Sequence, residues 1–195
     1  MAFPSPPWVL HGQVWLSLFY ASPSETPRNV YAVAFADHEA DSTVAYRDLL
    51  VGRVTRTDDG VRRVRLRQVW ADHEGTAEGL RAFGGWPVET GVLDRLSGGL
   101  GPVDRTSWSA SRDGGPIVAA EFADASRVGL RTPVRASTWQ ERPDGTVVTT
   151  DLRGSGRTVP CLATWDFVEA GPLGWLAGRQ PVASFRSRDV RLVLG

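Results

Sequence analysis

Apolar and polar residues alternate with a period of two over most of this 195-residue chain. That spacing is the signature of half-buried β-strands, because successive side chains of a strand point to opposite faces. Strands are predicted over 13–20, 30–36, 42–56, 61–70, 107–111, 117–122, 134–140, 146–152, 161–167 and 184–194. They are rich in Val, Thr, Trp and Phe and are bounded by Gly, Pro, Asp and Asn. Hairpin turns are legible at Asp58-Asp59-Gly60, Arg112-Asp113-Gly114-Gly115 and Arg142-Pro143-Asp144-Gly145. A surface loop is expected over Ser22–Asn29. Two short segments break the alternation. Glu74–Phe83 reads as a helix ended by Gly84-Gly85, and Pro172–Ala177 as a shorter one, started by proline and stopped by Gly178. Many strands joined by regular turns point to a mainly β protein, a barrel or a sandwich, since closure removes exposed strand edges. Neither a repeat nor a linker divides the chain, so residues 1–195 read as one domain.

Composition narrows the function classes. The formal net charge is zero, which argues against a nucleic-acid or membrane-surface binder, since both need a basic excess. The run Arg62-Arg63-Val64-Arg65-Leu66-Arg67 is basic, but it alternates and reads as a strand with one solvated face. Cys161 is the only cysteine, so an intrachain disulfide is impossible. It lies in an apolar run and reads as a buried, inert thiol. His11, His38 and His73 are scattered without metal-ligand spacing, and neither metal nor cofactor is expected. No basic start precedes an apolar run and no stretch is long enough to span a membrane, so a cytoplasmic protein is expected. The chain holds eight tryptophans. Most read as core filler, and some as the wall of a pocket for a large apolar ligand. Trp15, Trp86 and Trp108 are the candidates for such a wall.

All 22 Lys+Arg positions are arginine. The consequence emerges at Gly79-Leu80-Arg81-Ala82-Phe83-Gly84-Gly85-Trp86-Pro87-Val88-Glu89, which resembles the acetoacetate decarboxylase signature. Arg81 and Pro87 keep the signature's spacing, and Val88 stands where its lysine belongs. Pro6 to Gln13 is similar to the "PPxPWxLxGQ" entry of actinobacterial members. Ser42 to Val51 resembles their "LAYRELLV", and Val69-Trp70-Ala71-Asp72 their "W-x-D" strand end. Trp165, Gly174 to Gly178, Ala183 to Phe185 and Arg188 to Val190 fit the same family, so the likeness runs along nearly the whole chain.

The resemblance implies a closed β-barrel or cone with a few short helices, an internal apolar cavity and a homo-oligomer. In the family a lysine forms a Schiff base with a ketone. Valine cannot, and arginine stays protonated and is a poor nucleophile. Asp48 falls where the family has a pocket glutamate and Gln13 where the decarboxylase has a pocket arginine; these two are the candidate catalytic residues. Tyr46 shares a strand face with Asp48. Arg81, Glu89, Val88, Tyr46 and the three tryptophans are the candidate substrate contacts, the plainer role of Glu89 being a salt bridge to Arg81. A lysine-less relative of this type would act on a ketone- or polyketide-like small molecule. Cyclisation, pericyclic closure included, needs chiefly a folded substrate, and isomerisation or dehydration needs Asp48 as a base. The alternative is a non-catalytic binding protein that keeps the cavity.

Overall fold

A computed structural model describes residues 4–20, 29–57, 59–100, 102–125 and 129–195. Of the expected loop and turns, residues 22–28 and Asp58 lie outside the described residues. Two sheets organise the fold. The larger runs in the order β3 (Tyr46–Arg56), β2 (Val30–His38), β1 (Trp8–Tyr20), β12 (Ala183–Leu194), β10 (Val147–Pro160), β9 (Arg131–Glu141) and β4 (Arg62–Ala71). Pairing of β3 with β4 closes these seven strands into a barrel. The short β5 (Val88–Thr90) adds to β4 in parallel. The second sheet holds β11 (Leu162–Phe167), β8 (Gly115–Asp124), β7 (Val103–Arg112) and β6 (Val92–Leu100). A mainly β, closed-barrel fold is therefore what the chain adopts.

Alternation now acquires faces. On β1, Trp15 and Phe19 point out of the barrel and Leu10, Val14 and Leu16 point in. On β3, Leu49 and Val51 point out and Tyr46, Asp48 and Leu50 point in. The second sheet lies over the outward set, and its Trp108, Val118, Ala120 and Phe122 complete one core with them. Trp108 meets Trp15 edge-on at 5.2 Å and stacks on Phe35 at 4.8 Å between centroids. Such pairs contribute about 0.5–1.5 kcal/mol beyond the area they bury.

Bulges keep the inner face apolar along long strands. On β12, Phe185 and Ser187 face inward, and so do Val190, Leu192 and Leu194. An extra residue between Arg188 and Val190, with Asp189 at φ 47°, corrects the phase. The unpaired Arg67 does the same on β4. Sequence pattern ended β10 at Leu152, but the strand continues to Pro160 through Gly154. A Cβ on Gly154 would fall 1.9 Å from the Arg191 carbonyl oxygen, so only glycine allows this approach. The expected strand start at Ser42 moves to Tyr46, because the Ser42 and Thr43 side chains are turned to accept bonds from the His11 and Val9 amides. Strand β6 is absent from the pattern reading because Leu93 is buried while its apolar neighbours Val92 and Leu96 are exposed.

The helix α1 (Glu74–Gly84) buries Thr76, Ala77 and Leu80 on one face. It ends in a left-handed Gly85 whose amide returns to the Arg81 carbonyl, as glycine at that position permits. The second expected helix is a single 3-10 turn, Gly174–Leu176. With Val69, Trp86 and Val88, the buried face of α1 packs into the barrel core. Among the described residues no helix is long and apolar enough to cross a membrane.

Candidate functional site

Inside the barrel lies a cavity of about 470 Å³. Its wall is mostly aliphatic, from Leu16, Leu50, Leu152, Val190 and their neighbours, with Phe185 and Trp86 as its apolar aromatic members. The size lies in the usual range for a small-molecule site. The Trp86 indole donates to Thr138 Oγ1 at 3.3 Å, which fixes the ring against β9.

Thr132, Arg135, Thr158 and Ser187 also line the cavity, and three further polar side chains, Tyr46, Asp48 and His38, project from the adjacent strands β2 and β3. The antiparallel register of β2 and β3 sets Ala36 opposite Asp48 and His38 opposite Tyr46. Small Ala34 and Ala36 precede His38 on β2, and Ala36 lines the cavity with it. Asp48 is 1% exposed, Tyr46 5% and His38 8%. His38 Nε2 stands 3.7 Å from Asp48 Oδ2, and the His38 and Tyr46 rings lie 4.5 Å apart. Asp48 Oδ1 is buried and has no hydrogen-bond partner among the described residues.

Electrostatics follow from that burial. Loss of solvent pushes the Asp48 carboxyl above its ordinary value, and nearby Asp72 adds to the rise; His38 and the Tyr46 hydroxyl pull the other way. The Tyr46 phenol is pushed well up, first by burial and then by the Asp48 charge. Tyr46 therefore remains a hydrogen-bond donor, while Asp48 is poised to exchange a proton nearer neutrality than an exposed aspartate. No group of three or more potential metal ligands occurs among the described residues.

No protein-family model and no curated protein sequence matches the chain. Solved structures do. Acetoacetate decarboxylase from Legionella pneumophila superposes with a TM-score of 0.65 at 12% identity, over 100% of this chain and 87% of that one. The enduracididine biosynthesis enzyme MppR, complexed with pyruvate, gives 0.63 at 13%, over 98% and 89%. An acetoacetate decarboxylase-like enzyme from Sphingomonas wittichii gives 0.61 at 12%, over 99% and 92%. The fold is that of acetoacetate decarboxylase.

Within the acetoacetate decarboxylase fold, the residues expected at the site divide. Tyr46, Asp48 and Trp86 line the cavity. Val88 is 4% exposed and packs in the same core cluster, but it is not part of the cavity wall. Gln13 and Trp15 do not reach the cavity. They share the outward face of β1, and a second sheet covers that face. Gln13 Oε1 accepts from Arg186 Nη2 at 2.8 Å, and the Arg186 guanidinium lies 4.8 Å over the Trp15 ring. Trp108, on the covering sheet, fills the same inter-sheet core. Arg81 is outside too: its Nε donates to the Val88 carbonyl at 2.7 Å and its other nitrogens pair with Glu74. Glu89 pairs with Arg112 rather than Arg81. The helix and β5 direct these two charges to solvent, where long polar side chains lose no hydration.

His38 is the residue that sequence reasoning missed. Its signal was present: it follows Ala34 and Ala36 at period two, on the face opposite Val33 and Phe35. That signal became chemical only once the β2–β3 register set it beside Asp48.

Proposed function

We propose that the protein is an enzyme of the acetoacetate decarboxylase-like fold that moves a proton on an apolar, ketone-bearing small molecule, without Schiff-base chemistry. The observation that carries this reading is the buried Asp48 carboxyl, with one oxygen unpartnered, facing a 470 Å³ apolar cavity. An unsatisfied buried polar atom costs about 1–3 kcal/mol, a cost that acid–base work at that atom accounts for.

In this reading Asp48 takes a proton from the carbon next to the substrate carbonyl. The C–H electron pair moves into a new carbon–carbon double bond, and the carbonyl π pair moves onto oxygen. The Tyr46 hydroxyl donates a hydrogen bond to that oxygen, stabilising the charge as it develops. Return of the proton from Asp48 to another carbon gives an isomer. Departure of a β-hydroxyl, protonated by Asp48, gives water and an enone. Attack of the enolate carbon on a second carbonyl of a folded chain closes a ring. His38, 3.7 Å away, lowers the cost of charge on Asp48 and so opposes part of the desolvation that raises its pKa. With no lysine in the chain, the electron sink is the enolate and not an iminium.

A carrier is the second reading, favoured by the mostly aliphatic wall. Binding and turnover, measured separately over a panel of cyclic and long-chain ketones, separate the two. The enzyme reading expects Asp48→Asn to keep binding and lower turnover by roughly 10²-fold or more. Binding without turnover in the unaltered protein supports the carrier.

A further inference from the structure

The arginine-rich strand β4 is left unused by the cavity chemistry. Its register sets Arg65 directly opposite Arg53 on β3. Like charges facing each other across a strand pair repel. The chain does little to neutralise them. Arg53 donates to the neutral amide of Asn29, and its buried Nε has no partner among the described residues. Arg65 has one carboxylate, Glu141, at 3.8 Å, and lies 5.0 Å over the Trp139 ring. Arg67 is exposed and forms no ion pair among the described residues.

These side chains share a groove of about 670 Å³ on the barrel exterior. Between β4 and β9 one ladder pair, Val64 with Thr138, is formed among the described residues, and beyond it Gln140 Nε2 donates to the Leu66 carbonyl at 3.1 Å. Among the described residues, Arg53, Arg56, Arg65 and Arg67 line the groove against the one carboxylate of Glu141. Four guanidinium forks around one concave space match the geometry of phosphate oxygens, which they bind in pairs of parallel hydrogen bonds.

We propose that this groove is a second ligand site, separate from the cavity, and that it takes a small molecule bearing a diphosphate group. The cation surplus is offset by the ligand, and the flanking Trp139 offers an aromatic edge to a base or ring carried on the diphosphate. The proposal does not rest on the proposed proton chemistry, and it holds even if the cavity is only a carrier.

Calorimetric titration of the full chain with inorganic pyrophosphate and with ADP tests it. Arg65→Gln and Arg67→Gln are compared with Arg105→Gln, an arginine away from the groove. Expected is saturable one-to-one binding that Arg65→Gln and Arg67→Gln each weaken by about tenfold or more, that Arg105→Gln leaves unchanged, and that weakens with salt. Arg67 is exposed, so its variant reports on binding even if Arg65→Gln disturbs the strand pair. Tighter binding of ADP than of pyrophosphate identifies a nucleotide-like ligand, and equal binding a free diphosphate; either supports the site. No saturation by about 10 mM of both probes, a range covering weak small-molecule sites, would overturn it. So would binding that both groove variants leave intact, or a single-stranded oligonucleotide binding in their place.

Discussion

His38 Nε2 lies 3.7 Å from Asp48 Oδ2 inside a barrel whose remaining wall is largely aliphatic. The two come from neighbouring strands whose register is fixed along nine residue pairs, so the spacing is set by the sheet and not by a mobile loop. A histidine beside a buried carboxyl lowers the cost of its charge, and this acts against the desolvation that raises the Asp48 pKa. Replacing His38 with alanine is therefore expected to move the Asp48 midpoint further up. The carboxyl infrared band, followed with pH in both proteins, reads this; an unchanged midpoint would mean that the pair does not interact.

Stability should carry the same signature. The folded pKa of Asp48 is raised above 3.8, so the native state holds this proton more tightly than the unfolded chain. Its contribution is greatest below the unfolded value and is lost as pH rises through the folded value. Asp48→Asn, which cannot ionise, is expected to remove that loss and to be more stable than the parent near neutral pH by about 1–3 kcal/mol. Denaturant melts at acid and neutral pH check it: a variant less stable at both would indicate that the charge is satisfied after all.

A lysine at position 88 is not expected to restore Schiff-base activity. Val88 is buried in a packed cluster with Leu80 and Trp86 and is not part of the cavity wall. Val88→Lys should lower stability, by about 1–3 kcal/mol or more for an overpacked, charged core position. Borohydride with acetoacetate should trap no adduct at an internal residue of the parent chain. A reduced adduct at residue 88 of the variant, with decarboxylation, would contradict this.

Cys161 should be a slow nucleophile. Cys161 is half-buried rather than buried, and this partial burial, helped by the Asp124 charge, pushes its thiol up to about 12. Near pH 8 the thiolate fraction is then on the order of 10³ lower than for an ordinary cysteine. Reaction with an aromatic disulfide reagent should be slow when folded and fast in denaturant; rapid native reaction would count against a thiol shielded in this way.

How far the sequence revealed the site depended on faces, not on strands. Period two placed Tyr46 and Asp48 correctly on one face, because alternation is a local property. Which face a strand turns inward is tertiary. The inner face of β3 was chosen by family resemblance. On β1 the same reasoning turned Gln13 inward, whereas that face supports the second sheet, whose edge strand β6 buries Leu93 and exposes Val92 and Leu96. Two sheets on one barrel wall make both faces apolar, and pattern alone cannot rank them. His38 needed the strand register, which no single-strand pattern contains. Arg81 and Glu89 were read from a motif whose helix and short strand both exist, yet their side chains leave the core.

The most direct measurement is proton exchange at carbon. An apolar cyclic ketone, incubated with the protein in D₂O, is followed by loss of its α-hydrogen signal in proton NMR, with binding of the same ketone measured alongside. Exchange well above the buffer rate is expected for the parent chain. It should fall by roughly 10²-fold in Asp48→Asn with binding retained, and persist when Gln13, outside the cavity, is changed to alanine. A ketone that binds while exchanging at the buffer rate, or at the same rate in parent and Asp48→Asn, would contradict the assignment of Asp48 as the proton-transfer group.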